Sequence, residues 1–71
     1  MININKQAIN EISIESLDSP RDVRLALDIR QCDCAEILGV TLRMWQKYEE
    51  KVIKVNKYKR QYFVDQLKKY L

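Results

Sequence analysis

From residue 20 onward, apolar residues recur three or four positions apart, which is the spacing of one face of an α-helix. Ser19 and Pro20 mark the start of the first such stretch, because serine accepts hydrogen bonds from the free amides of a first turn and proline suits the first helical position. We therefore predict a helix over about residues 20–27, with Val23 and Leu27 on its inner face and Asp28 at its end.

A single glycine separates the next two helical stretches. The first is predicted over about residues 31–38, and Gly39 follows it as a residue that takes a left-handed backbone without strain. The second is predicted over about residues 42–50, with Thr41 as its N-terminal cap. The residues expected to face the core are Cys34, Ala35, Leu38, Val40, Trp45 and Tyr48.

The last helix is predicted over about residues 57–70, after a linker over residues 51–55, with Asn56 as its cap. Its apolar residues are Tyr58, Tyr62, Phe63, Leu67 and Tyr70. The tyrosines among them are interpreted as a packed or dimerising face.

Residues 1–18 carry two competing patterns. Ile2 and Ile4, and again Ile12 and Ile14, alternate with polar residues as in a strand, whereas Ala8, Ile9 and Ile12 share one helical face. We prefer a short helix over about residues 5–16. The resulting organisation is an N-terminal arm or short helix at 1–18, as a candidate dimer contact, followed by one domain over 19–71.

The composition supports an all-α fold, a compact bundle of four to five helices. The chain has one glycine and one proline among 71 residues, too few breakers for a β-fold with many turns. It has neither the long apolar run of a membrane span nor the apolar segment of a signal peptide, so we expect no membrane partner and a cytoplasmic location.

Charge is distributed unevenly along the chain. Residues 1–42 carry four Lys or Arg against seven Asp or Glu, whereas residues 43–71 carry nine against three. A basic second half indicates a polyanionic partner such as nucleic acid, although a membrane surface or an acidic protein would also fit.

Residues 31–49 combine the features that two closely crossing helices require. Ala35 is small enough for close approach, Gly39 permits a tight turn, and Val40 anchors that turn in the core. Trp45 and Tyr48, three residues apart, then turn one face of the second helix inward and leave the other face free. This spacing is that of a helix-turn-helix.

The stretch from Val23 to Glu49, VRLALDIRQCDCAEILGVTLRMWQKYE, resembles the Cro and phage-repressor type of helix-turn-helix, also called the xenobiotic-response-element family. Arg24 precedes Gln31 by seven residues, as an arginine and a glutamine do in that family. The family's small residue, turn glycine, valine and recognition-helix ending match Ala35, Gly39, Val40, Trp45, Tyr48 and Glu49. The chain departs from the family at Asp28 and Lys51, where glycine is usual, and at Arg30, where serine or threonine usually caps the helix.

The resemblance implies that the helix after the turn enters the major groove of DNA. The implied base-contacting residues are Thr41, Leu42, Arg43, Gln46 and Lys47. The implied phosphate-contacting residues are Gln31, Lys51, Lys54 and Lys57. Arg43 is the best candidate for a bidentate contact to guanine, and Glu49 is expected to form a salt bridge with Arg24.

Other chemistry has little support in the sequence. The chain has no histidine, no glycine-rich phosphate loop and no visible nucleophile–base pair, so we expect no enzyme activity, cofactor or small-molecule ligand. Cys32 and Cys34, two residues apart on a predicted helix, point in different directions and are not expected to hold a metal.

The sequence therefore predicts a sequence-specific regulator of transcription that binds double-stranded DNA. The resemblance implies a small repressor of a phage or mobile element, bound as a homodimer to an inverted repeat. Two alternatives remain open. One is a protein-interaction module, such as an antitoxin or an anti-CRISPR-like adaptor, that reuses the fold. The other is a non-specific nucleic-acid binder that uses the lysine-rich C-terminal part.

Overall fold

The computed structural model describes residues 2–71, which form five α-helices and no β-strand. The helices are α1 (Lys6–Ile9), α2 (Pro20–Leu27), α3 (Gln31–Leu38), α4 (Leu42–Glu49) and α5 (Lys57–Lys68), with a 3₁₀ turn at Glu15–Asp18 between α1 and α2. The predicted all-α bundle is confirmed, and the bounds of α2 and α3 agree with those predicted from the sequence.

The N-terminal segment corrects the prediction of one helix over residues 5–16. After α1 the chain leaves the helix at Asn10 and continues irregularly to the 3₁₀ turn. The Ser16 hydroxyl accepts a hydrogen bond from the backbone N–H of Ser13 at 3.0 Å and meets the Ser13 hydroxyl. Such local side-chain bonds compete with the helical pattern, which explains the interruption. Met1 lies outside the described residues.

Two side chains tie this segment to the rest of the molecule. The Asn5 side-chain amide donates to the carbonyl of Ala26, and its backbone N–H donates to the carbonyl of Leu27. Arg60 of α5 donates to the carbonyl of Ile14 and forms an ion pair with Asp18 at 2.8 Å. Several N-terminal residues therefore join the core, namely Ile4, Ala8, Ile9 and Leu17.

Helix ends follow the predicted turn chemistry at most positions. Asp28 and Gly39 are left-handed, with φ of 58° and 77°, and end α2 and α3. The Thr41 hydroxyl and the Asn56 side-chain oxygen accept bonds from the backbone N–H of Met44 and Lys59, respectively. These four assignments are confirmed.

Ser19 precedes α2 as predicted, but its role differs. Its hydroxyl donates to the Asp22 carboxylate at 2.8 Å instead of accepting an amide of the first turn. At the start of α3, where Arg30 replaces the usual serine or threonine, Asp33 takes part in the cap. Its carboxylate accepts one hydrogen bond from the backbone N–H of Arg30 and two from the Arg30 guanidinium. These hydrogen bonds from Arg30, above all those of its guanidinium, keep the pKa of Asp33 below its ordinary value.

The core centres on Trp45, which is fully buried and stacks on Phe63 of α5 with ring centroids 5.7 Å apart. α5 ends at Lys68, before the predicted residue 70, because the last amides bond three residues back. Of the two interpretations of the tyrosines, a face packed within the chain does not hold for Tyr58 and Tyr62, which are 85% and 49% exposed, whereas a dimerising face stays a prediction. They lie on the outer face because Phe63 and Leu67 already define the opposite, buried face.

Candidate nucleic-acid interface

α4 is fixed to the bundle by its inner face. Trp45 and Tyr48 are buried, and their rings meet edge-on with centroids 6.3 Å apart. The short connection from α3 closes with two bonds of 2.9 Å, from the N–H groups of Gly39 and Val40 to the carbonyl of Ala35. These contacts hold α4 against α3 and orient its opposite face outward.

A polar cluster around Glu49 reinforces this attachment. Its carboxylate accepts two bonds from the Arg24 guanidinium, at 2.7 and 3.2 Å, and one from the Gln31 side-chain amide at 3.2 Å. It also accepts the indole N–H of Trp45. One carboxylate therefore joins α2, α3 and α4, and the predicted Arg24–Glu49 salt bridge is confirmed.

The Glu49 cluster remains charged at neutral pH. Burial raises the pKa of Glu49, but the hydrogen bonds from Arg24, Trp45 and Gln31 outweigh burial and leave this pKa below its ordinary value of 4.5. The same hydrogen bond to Glu49 raises the pKa of Arg24 despite partial desolvation. The two groups therefore stabilise each other's charged forms.

The predicted base-contacting residues occupy the start and outer face of α4. Thr41, Leu42 and Arg43 are exposed, although the Thr41 hydroxyl is engaged as the helix cap. Gln46 and Lys47, one turn further on, are half-buried. Arg43, Gln46 and Lys47 together line one shallow cleft of about 250 Å³, so the structure brings these three side chains together.

Gln31 lies beside this cleft, at the first turn of α3. Its side-chain oxygen accepts a bond from the Gln46 amide at 3.3 Å, while its own amide donates to Glu49. Gln31 and Gln46 line a second cleft of about 440 Å³ together with Arg21 and Arg24. Gln46 thus borders both clefts and connects the α4 surface to the first turn of α3.

The lysines predicted to contact phosphate do not line the cleft that contains Arg43. Lys51 and Lys54 line a separate groove of about 330 Å³, together with Leu17 and Tyr48, and neither lines the cleft that contains Arg43. Lys57 is exposed at the first position of α5. The backbone of Lys51 is left-handed, with φ of 62°. Glycine adopts this conformation most easily, and glycine is usual at this place in the helix-turn-helix family that the sequence resembles.

The two cysteines do not share one environment. Cys32 is exposed and Cys34 is buried, and both are free thiols. Burial raises the pKa of Cys34 to about 12, which keeps its thiol protonated. Neither cysteine contributes to the clefts beside α4.

Sequence reasoning missed several residues around α4. Arg21 borders the cleft with Gln31, while Glu50 and Val52 border the one with Arg43. The position of Arg21 one turn before Arg24 was the available signal, because residues three apart share a helix face. Val52 carried no such signal, since its 67% exposure depends on how the chain leaves α4.

No protein-family model matches the chain, and neither a curated protein nor a solved structure matches it significantly. No helix within residues 2–71 is long and apolar enough to cross a membrane.

Proposed function

We propose that this chain is a sequence-specific regulator of transcription, in which α3, the turn at residues 39–41 and α4 act as a helix-turn-helix on double-stranded DNA. One observation carries the proposal: Arg43, Gln46 and Lys47 line a single outer cleft on a helix whose inner face is buried. Arginine and glutamine can each read a base through two hydrogen bonds, to guanine and adenine respectively.

The dimensions of α4 are compatible with this role. An α-helix with its side chains is about 10–12 Å in diameter, and the major groove of B-DNA is about 12 Å wide. Arg43 lies in the first turn, the part of a recognition helix that reaches base edges. The Glu49 cluster already fixes α4 on its inner side. Less conformational entropy is therefore lost when the helix binds DNA.

Phosphate contacts would come from positive residues around this helix. Lys51, Lys54 and Lys57 are exposed, whereas Arg60 is paired with Asp18 and serves the fold. A reader of this size buries little surface on DNA, so we propose binding as a homodimer to an inverted repeat, as a small cytoplasmic repressor. The repressor role and a phage or mobile-element origin rest on the resemblance noted from the sequence.

The decisive experiment selects preferred sites from random duplexes with the purified protein and repeats the selection with Arg43→Ala. We expect the preference to be lost at one base pair of each half-site, worth about 1–3 kcal/mol, while the remaining positions keep theirs. Lys6→Ala is the matched control, since it removes one positive charge from α1, away from α4. If the wild-type protein enriches no sequence, the proposed function is wrong.

Lys57→Ala tests the phosphate contacts separately. The substitution should weaken binding to all DNA sequences by a similar factor. It should also lower the salt dependence of binding by about one released counterion. A non-specific binder would instead depend mainly on lysines and be insensitive to Arg43→Ala. The two substitutions therefore distinguish base reading from general attraction to a polyanion.

A second candidate function is a protein-interaction module. It is favoured by Leu42, 44% exposed at the start of α4, and by Val52, 67% exposed beside the cleft of Arg43. Apolar groups of this kind suit a protein groove as well as a thymine methyl. Under this alternative Leu42→Ser would abolish binding to a protein partner, and no DNA sequence would be enriched.

A further inference from the structure

A groove lies between the N-terminal segment and α5, on a part of the molecule that the proposed DNA interface does not use. Its volume is about 370 Å³, and it includes no residue of α2, α3 or α4. Apolar floor residues include Ile12, Ile14 and Val64, and the rim includes Glu15, Gln61 and Lys68. We call it the N-terminal groove.

The two charged rim residues lie towards opposite ends of the N-terminal groove. Arg60 binds the carbonyl of Ile14, which places Glu15 near the first turns of α5. Lys68 is the last residue of α5, seven positions after Gln61 and therefore about 10 Å further along the helix. The groove consequently has an acidic end, a basic end and an apolar floor between them, and both charged residues are exposed.

We propose that the N-terminal groove is the face on which a second copy of this chain binds, in an antiparallel arrangement about a two-fold axis. A two-fold axis through the groove centre brings Glu15 of each copy to Lys68 of the other. The positions of Glu15 and Lys68 are thus complementary under the two-fold axis, as charges across an interface between identical subunits must be. A parallel arrangement would instead oppose like charges at both ends.

The same arrangement covers apolar groups that one chain leaves exposed. When two α5 helices run antiparallel with Gln61 opposite Lys68, Tyr58 lies level with the turn that follows Lys68 in the second copy, the segment that carries Leu71. These residues are 85% and 60% exposed in the single chain. This register therefore covers Tyr58 and Leu71 as well as the apolar floor of the groove.

The area required also points to an interface that extends beyond the groove. A stable interface buries about 800 Å² per subunit, which is about one sixth of the 4847 Å² surface of the chain. The outer face of α5 supplies the additional surface, because a tyrosine contributes about 150–250 Å² when buried. Tyr58 and Tyr62 would thus become interface residues.

The proposed dimer surface rests on the proposed function in one respect, namely that this function calls for a homodimer. Because no residue of α4 belongs to the N-terminal groove, pairing there leaves Arg43 and Gln46 accessible. The test is made without DNA, so failure of the dimer and failure of DNA binding give separate results.

The experiment measures the dimer dissociation constant by sedimentation equilibrium for the full chain and for three charge variants. Glu15→Lys or Lys68→Glu alone converts two attractions into two repulsions, and we expect each to raise the Kd about 30-fold at low salt. The double variant, with Glu15→Lys and Lys68→Glu together, restores both pairs with their signs exchanged. Its Kd should return to within about threefold of the wild-type value.

Glu36→Lys and Lys6→Glu are matched controls, since they make the same charge changes at exposed positions on α3 and α1. Circular dichroism confirms that each variant retains its helices. The proposal is overturned by a wild-type chain that is monomeric at all concentrations, by single variants that dimerise like the controls, or by a double variant that is not restored.

Discussion

Replacing Glu49 by glutamine perturbs the contact that joins three helices while preserving the size of the side chain. Each carboxylate oxygen of Glu49 accepts two hydrogen bonds: Oε1 from Arg24 and Gln31, and Oε2 from Arg24 and Trp45. Whichever oxygen becomes an amide nitrogen, it then faces two donors and can accept neither. The Arg24 guanidinium also loses the charge that balances its own.

The magnitude follows from these bonds. The lost bond to Arg24 involves two charged groups, and such bonds contribute about 1.5–3 kcal/mol. Leaving the second donor unsatisfied in a site where the Glu49 side chain is only 6% exposed adds about 1 kcal/mol or more. We expect a loss of about 3 kcal/mol, against a total stability of about 4–11 kcal/mol for a domain of this length.

Urea unfolding monitored by far-ultraviolet circular dichroism measures this loss, and it avoids fluorescence because Trp45 is itself a partner of Glu49. For a small domain with a urea slope of about 1 kcal/mol per molar, the midpoint should fall by about 3 M. Glu50→Gln is the matched control, because Glu50 is the next residue, is exposed and carries the same charge. It should change the stability by less than about 0.5 kcal/mol.

Equal midpoints for Glu49→Gln and Glu50→Gln would refute this reasoning. They would mean that Arg24 and Trp45 find water or other partners without cost, and that the Glu49 cluster does not hold α4. A loss confined to Glu49→Gln would support the view that the proposed reading helix is fixed from its inner side.

Three further predictions concern pH and backbone conformation. Because the pKa of Glu49 is lowered on folding, its stabilisation is present above about 4.5 and is lost as pH falls through the lower folded value, so urea midpoints of the wild-type chain and Glu49→Gln should converge in acid. Gly39→Ala should cost about 1–2 kcal/mol because φ is 77°, although the added methyl group would meet no atom within 4 Å outside Gly39 and the residues next to it. Lys51→Gly should instead stabilise by about 0.5 kcal/mol, since φ is 62° there; an unchanged urea midpoint in either backbone variant would contradict the strain argument.

The candidate interface was only partly predictable from the sequence. Gln46 and Lys47 follow Arg43 by three and four residues on one helix, and helical spacing alone brings both to the face of Arg43. The Gln31–Gln46 bond crosses between helices, so it depends on how α3 and α4 pack. The separate location of Lys51 and Lys54 likewise depends on the path of the chain after α4.

Local chemistry in the sequence was sufficient for most of the helix ends from residue 19 onward. The residues concerned act through their own backbone angles or through amides three residues away, and they are Pro20, Asp28, Gly39, Thr41 and Asn56. Such effects involve few neighbours and survive in most tertiary contexts. Sequence alone therefore determined the order of α2 to α5 and most of their bounds.

Tertiary structure decided the features that require a partner distant in the chain. The N-terminal segment could be a strand or a helix by its pattern, and contacts from Arg60 and Leu27 accompany its actual path. Tyr58 and Tyr62 look apolar in sequence, yet Phe63 already occupies the space beside Trp45. A hydrophobic pattern states which residues favour burial, but only packing decides which of them obtain it, because the interior of 71 residues is too small for all.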